Sequence, residues 1–206
     1  MKEVSVIVYG VGSVGSGIIN TLRKRKGVKV VGAVDIDPEK VGRDAGVVSG
    51  GEPIGVTITD DARALAETVK ADVALNVAAP LGVRETFHEM IWAIEKSINV
   101  IVASMETCNL WFTDKELAQE VDKTCKKFGV TYVGFGATQA EERYITMMTE
   151  GSVDVRHISF THHADVQAFT DESNAAEWGI SLTQEEYDRR VAEGTVKSKE
   201  DLKSIV

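Results

Sequence analysis

The chain has 206 residues, 43% hydrophobic and 27% charged, enough to bury a full core as one large domain or as a domain with a smaller appendage. Its 32 acidic residues outnumber 23 basic ones, and a net charge of -9 argues against nucleic acid or an anionic membrane as partner, because both need concentrated basic surface. No apolar run approaches the roughly 18 residues that span a bilayer, and the N-terminus enters a strand pattern without a cleavage site. Cys108 and Cys125 lie too far apart for a CxxC pair, so a cytoplasmic, reducing setting is expected.

In chain order, Val4–Tyr9 reads as a buried strand and Ser13–Arg25 as the helix that follows. The basic run Arg23-Lys24-Arg25-Lys26 complements the dipole at the end of that helix. Val28–Val34 is a second strand. A glycine-rich stretch from Val41 to Gly55 leads to a short third strand, Val56–Ile58, and Asp60 is the expected N-cap of a helix running to Val69. Asp72–Ala78 (strand), Gly82–Lys96 (helix), Asn99–Ala103 (strand), Thr113–Phe128 (helix) and Val130–Phe135 (strand) complete the series. Near-continuous Val/Ile strands alternating with helices predict parallel strands covered on both faces. Right-handed crossovers then close an α/β, doubly wound, parallel-sheet Rossmann domain over residues 1–136.

After Gly136 the rhythm changes, and residues 137–206 are expected to form a second, smaller α+β domain for substrate and dimerisation. Thr138–Thr149 has a helical pattern, and Val153–Val166 alternates like a half-exposed strand, suited to a sheet that forms a homodimer. Thr183 is the expected N-cap of a helix ending near Gly194, with Glu186 completing a capping box. Another short helix begins at Ser198.

Gly10-Val11-Gly12-Ser13-Val14-Gly15 follows the first strand and opens the first helix. Gly10 permits the tight turn, Gly12 admits a pyrophosphate against the backbone, and Gly15 allows close helix–strand packing. The amides of Ser13 and Val14 lie at a helix N-terminus that attracts the anion. Asp35 ends the second strand 20 residues after Gly15, where a carboxylate hydrogen-bonds the adenosine ribose and repels a 2′-phosphate. The expected cofactor is therefore NAD(H) rather than NADP(H), although Arg43 stands near enough to receive a phosphate. Ala78, Ala79 and Pro80 follow the fourth strand, where small residues let a dinucleotide lie against the chain.

At the end of the fifth strand Glu106 is the best-placed titratable group, able to exchange protons or pair with an ammonium beside the nicotinamide. Cys108 is a rival nucleophile, but no cation in sequence marks it as activated. His162 and His163 are expected on opposite faces of a strand and no nearby Cys/His cluster completes a metal site, so one of the two, taken as His163, is the expected substrate contact.

With these residues in view, Gly10–Ile18, Val31–Gly42, Asn99–Glu106 and Gly179–Tyr187 with Val191–Gly194 resemble the 2,4-diaminopentanoate dehydrogenases and related amine dehydrogenases, within the dihydrodipicolinate-reductase-like group. The resemblance implies reversible oxidative deamination of an amine, hydride passing to NAD(P)+, with ketone and ammonia reacting in reverse and Glu106 handling the protons. Where that family tends to have Asn-Pro-Gly, this chain has Gly136-Ala137-Thr138. Members are longer, which implies a fragment or a reduced form that builds its pocket with a partner subunit. Three alternatives remain open: a dihydrodipicolinate-reductase-type imine reductase, whose lysine and Asp-Ala-Pro-Ser-Gly run are absent after His163, a non-catalytic NAD(H)-binding module, and an aldehyde dehydrogenase that uses Cys108.

Overall fold

Each apolar run expected as a strand in the first 136 residues finds a parallel neighbour. The computed structural model describes residues 3–78, 82–104, 106–136, 144–157 and 182–193, with the backbone alone at Glu106. Strands β1 (Val4–Tyr9), β2 (Val28–Val34), β3 (Ile58–Thr59), β4 (Val73–Asn76), β5 (Asn99–Ala103) and β6 (Tyr132–Phe135) form one sheet in the order β3-β2-β1-β4-β5-β6. All pairings are parallel. Between them run α1 (Ser13–Leu22), α2 (Ala45–Val48), α3 (Ala62–Thr68), α4 (Val83–Glu89), α5 (Ile91–Glu95), α6 (Leu110–Thr113) and α7 (Lys115–Phe128), with a 3-10 turn at Glu106–Asn109. This is the Rossmann fold, and its strand order reverses between β1 and β4.

Side chains alternate across the sheet, so each strand feeds two cores. Ile7, Ala74, Val100 and Val102 join Phe87, Ile94 and Leu117 on one side. Val6, Val8, Val30, Ala33 and Leu75 join Val11 and Ile19 on the other. Phe87, Ile7 and Ile19 are fully enclosed, each burial stabilising the fold by roughly 1.5–3 kcal/mol. The chain divides into two compact units, Met1–Ile158 and Ser159–Val206. Among the described residues no helix is long and apolar enough to cross a membrane.

Several boundaries differ from expectation for physical reasons. The first helix stops at Leu22, so Arg23 is its C-cap and the basic run lies beyond it. Residues 56–58 first pair with residues 43–45 at the start of α2, through Ala45 N–H to Val56 O and Ile58 N–H to Arg43 O, and β3 begins only at Ile58. Asp61, not Asp60, caps α3: its Oδ1 accepts the Ala64 N–H at 2.9 Å. The helix expected over Gly82–Lys96 is broken at Met90, because Met90, Trp92, Ala93 and Ile94 are all buried and a tighter turn is needed to face so many neighbours inward. Asp114 rather than Thr113 starts α7, its Oδ1 accepting the Leu117 N–H at 2.9 Å.

Beyond β6, residues 144–149 are helical, and the rest of the expected helix from Thr138 lies outside the described residues. No strand forms over residues 153–157, the described part of the run expected as a strand, where Val153 is fully exposed and so gains nothing from an extended, half-buried pattern. In the second unit, helix Gln184–Ala192 has Thr183 as N-cap, Oγ1 accepting the Glu186 N–H at 3.2 Å. The capping box is only half formed. Glu186 turns instead to Arg189 and Arg190, whose guanidinium groups hold its carboxyl down to about 2. The short helix expected from Ser198 lies outside the described residues.

Candidate functional site

The turn after β1 is closed by contacts that only glycine allows. Gly10 has φ +97°, and a Cβ there would sit 2.6 Å from the Ala78 nitrogen. The backbone after β1 thus rests directly on the backbone after β4, at the point where the strand order reverses. A Cβ on Gly15 would overlap the Gly10 carbonyl oxygen, so α1 is drawn tightly against the turn. Gly12 differs: a Cβ there meets nothing within 4 Å among the described residues.

Gly12 is also the N-cap of α1, and no side chain caps it. The first amides of this ten-residue helix, those of Ser13 and Val14 included, therefore have no intrahelical acceptor. Ser13 and Val14 are exposed, Val14 by 57% although apolar. An uncapped helix start, an open glycine and an exposed apolar side chain make a surface that a diphosphate with flanking rings fits. The residues present suit a dinucleotide.

Asp35, one residue past β2, is nearly buried at 11% exposure. Its Oδ2 accepts the Val11 N–H at 2.7 Å, and its Oδ1 accepts the Asp37 N–H at 2.9 Å. Lys40 Nζ lies 3.5 Å from Asp35 Oδ2 and 3.2 Å from Asp37 Oδ2. The Glu39 N–H and Lys40 hold the Asp37 carboxyl below the usual range. Arg43 places Nη1 on the Glu39 carbonyl, 3.1 Å away.

Ala78 follows β4 and donates its N–H to Asn76 Oδ1 at 3.0 Å. Asn76 is 4% exposed, and its Nδ2 has no hydrogen-bond partner among the described residues. It shapes the chain on which Gly10 rests, a role not read from sequence, where Asn76 carried no signal beyond its place at a strand end. Ala79, Pro80 and His163 lie outside the described residues.

Glu106 opens the 3-10 turn just past β5. Because β5 pairs in register with β4, Asn76 beside Val102, this turn lies on the same sheet edge as Gly10 and Ala78. Gly134 on β6 seats it: a Cβ there would meet the Thr107 carbonyl carbon at 2.5 Å. Cys108 donates its thiol to the Ser104 carbonyl at 3.3 Å, a structural use of the sulfur. Burial, then Asp122, pushes the Cys125 thiol up. A groove of about 330 Å3 between α7 and β6 is lined by Thr107, Cys108, Cys125 and Tyr132 and lies behind this turn.

Comparison with known proteins agrees with the fold. Residues 4–133 match the family described as dihydrodipicolinate reductase, N-terminus. The chain is 28% identical, over 95% of its length, to a 2,4-diaminopentanoate dehydrogenase of Acetoanaerobium sticklandii, of which it covers 56%. Among solved structures it is similar to an amine dehydrogenase from Mycobacterium smegmatis, with TM-score 0.73 and 27% identity over 100% of this chain and 61% of that one. A 73-residue stretch, 34% of this chain, is 40% identical to 26% of a 4-hydroxy-tetrahydrodipicolinate reductase of Anaeromyxobacter dehalogenans. The chain thus spans little more than half the length of the 2,4-diaminopentanoate dehydrogenase. Because the family match runs from β1 into β6, the chain belongs to the dihydrodipicolinate reductase N-terminal family.

Proposed function

We propose that this chain is the cofactor-binding part of an NAD(P)-dependent oxidoreductase that deaminates an amine reversibly, with NAD(H) favoured. The observation that carries it is the uncapped start of α1 beside an open Gly12, flanked by Asp35 and Ala78. Gly10, Gly12, Ser13, Val14 and Gly15 would hold the diphosphate, Asp35 the ribose hydroxyls, and Ala78 with Ala79 and Pro80 the far side. When bound, the nicotinamide supplies a hydride acceptor or donor. The sheet edge that carries this turn also carries Glu106, whose carboxylate would take protons from ammonium and water and return them in reverse.

The amine as substrate class rests on the likeness to the amine and 2,4-diaminopentanoate dehydrogenases. NAD(H) over NADP(H) rests on the Asp35 carboxylate, which opposes a 2′-phosphate. Exposed Trp111, Phe112, Met147 and Met148 suit a covered face, which supports a homodimer; light scattering that returns the 22.4 kDa of one chain overturns that part. A cytoplasmic setting belongs to the same reading, with His163 as a substrate contact.

The test is incubation with NAD+ and a panel of amines, with ketones and ammonium for the reverse direction, following absorbance of the reduced cofactor. Turnover with at least one amine is expected. Tight NADH binding without turnover would replace the enzyme with a nucleotide-binding module.

A further inference from the structure

We propose that Asp35 is a positioning residue for the diphosphate-binding turn: its carboxylate builds the turn by taking the Val11 N–H, besides meeting the ribose. This inference rests on the dinucleotide reading above and deepens it. Val11 lies between the two glycines that shape the turn, and its side chain is 1% exposed. Its N–H would be costly to leave unpaired there. The acceptor is 24 residues away in sequence, at the end of a neighbouring strand, so the bond staples the β1 turn to the β2 end. Asp35 Oδ1 is held in turn by the Asp37 N–H, which fixes the carboxylate's orientation.

A carboxylate so enclosed needs a countercharge, and Lys40 supplies it at 3.5 Å. Each carboxylate oxygen can accept more than one hydrogen bond, so the N–H bonds leave capacity for ribose hydroxyls. The two roles are compatible, and removing the side chain removes both. Replacement of this residue to change cofactor preference would therefore also loosen the phosphate cradle.

Two probes separate the roles: ADP, which presents diphosphate and ribose hydroxyls, and 2′,3′-dideoxy-ADP, which presents the diphosphate alone. Asp35→Ala is expected to weaken 2′,3′-dideoxy-ADP about tenfold or more, measured by calorimetry, with Asp35→Asn recovering much of that loss because its Oδ1 can still accept the Val11 N–H. Asp35→Ala that binds 2′,3′-dideoxy-ADP like the unmutated protein, and loses affinity only for ADP, overturns the proposal while leaving the dinucleotide reading intact. Failure of the unmutated protein to bind ADP or NADH removes that reading itself. Independently of any variant, amide exchange in the unliganded protein should protect the Val11 N–H more than those of Ser13 and Val14; equal exchange at the three contradicts the staple.

Discussion

The Gly10 turn and the Glu106 turn share one edge of the sheet, two strands apart, and they are built differently. The first is made of backbone: Gly10 rests on Ala78, Gly15 on Gly10, and Asp35 closes the loop through Val11. The second is seated on Gly134 of β6 and holds two buried side-chain atoms, Thr107 Oγ1 and Tyr132 Oη, without hydrogen-bond partners among the described residues. Burial pushes the Tyr132 phenol up. Beside it Trp111 and Phe112 are 59% and 79% exposed. The first turn is thus closed by contacts among Gly10, Gly15, Ala78 and Asp35, whereas the second leaves buried polar side-chain atoms without partners among the described residues.

That contrast is broken or sharpened by substitutions on each side. The largest effect is expected at Glu106→Gln, which keeps size and removes charge: turnover of amine should fall about 100-fold or more, while NADH affinity changes little. Activity that survives in this variant moves the proton chemistry elsewhere. On the backbone side, Gly10→Ala should cost about 3 kcal/mol in urea unfolding, combining an unfavourable φ of +97° with overlap on Ala78. Gly12→Ala should behave oppositely, with φ -82° and an unobstructed Cβ. Its stability should stay within about 1 kcal/mol of the unmutated protein while NADH affinity drops about tenfold or more. Equal stability losses at the two glycines would show that Gly12 serves the fold rather than a ligand.

The smallest effect concerns the loop before β3. Asp44 accepts the N–H groups of Gly46, Val47, Ile54, Gly55 and Val56. Desolvation raises its carboxyl, but these backbone bonds outweigh it and hold the group below its ordinary value. Its stabilisation is therefore complete above the ordinary carboxylate range and is lost as pH falls through the lower, folded-state value. Asp44→Asn should cost about 1–2 kcal/mol at neutral pH, since an amide nitrogen cannot accept an N–H. The gap between the two proteins should close in acid unfolding curves only below the usual carboxylate range.

The contrast also explains what was legible in the sequence. Gly10 and Gly15 could be read because steric closure at a strand–turn–helix junction dictates glycine at fixed spacing, while Gly12 and Asp35 were read from their spacing as cofactor contacts, and the structure sets Gly12 at the helix start and Asp35 on the Val11 N–H. The Val/Ile strands could be read because both their faces are buried. Asp44 could not be read as a hub, since Ile54 and Val56 return to it from 10 and 12 residues away. Gly134 could not be read as the seat of the Glu106 turn, because that contact joins β6 to the turn after β5. The short helix Leu110–Thr113 was hidden because one turn carries no periodicity.

Calorimetric titration of NADH and NADPH into the folded protein tests the central claim most directly. Saturable binding is predicted for NADH, more weakly for NADPH, and it should fade in Gly12→Ala without loss of fold. Absence of heat with both nucleotides, from protein whose folded state is intact, would contradict the account.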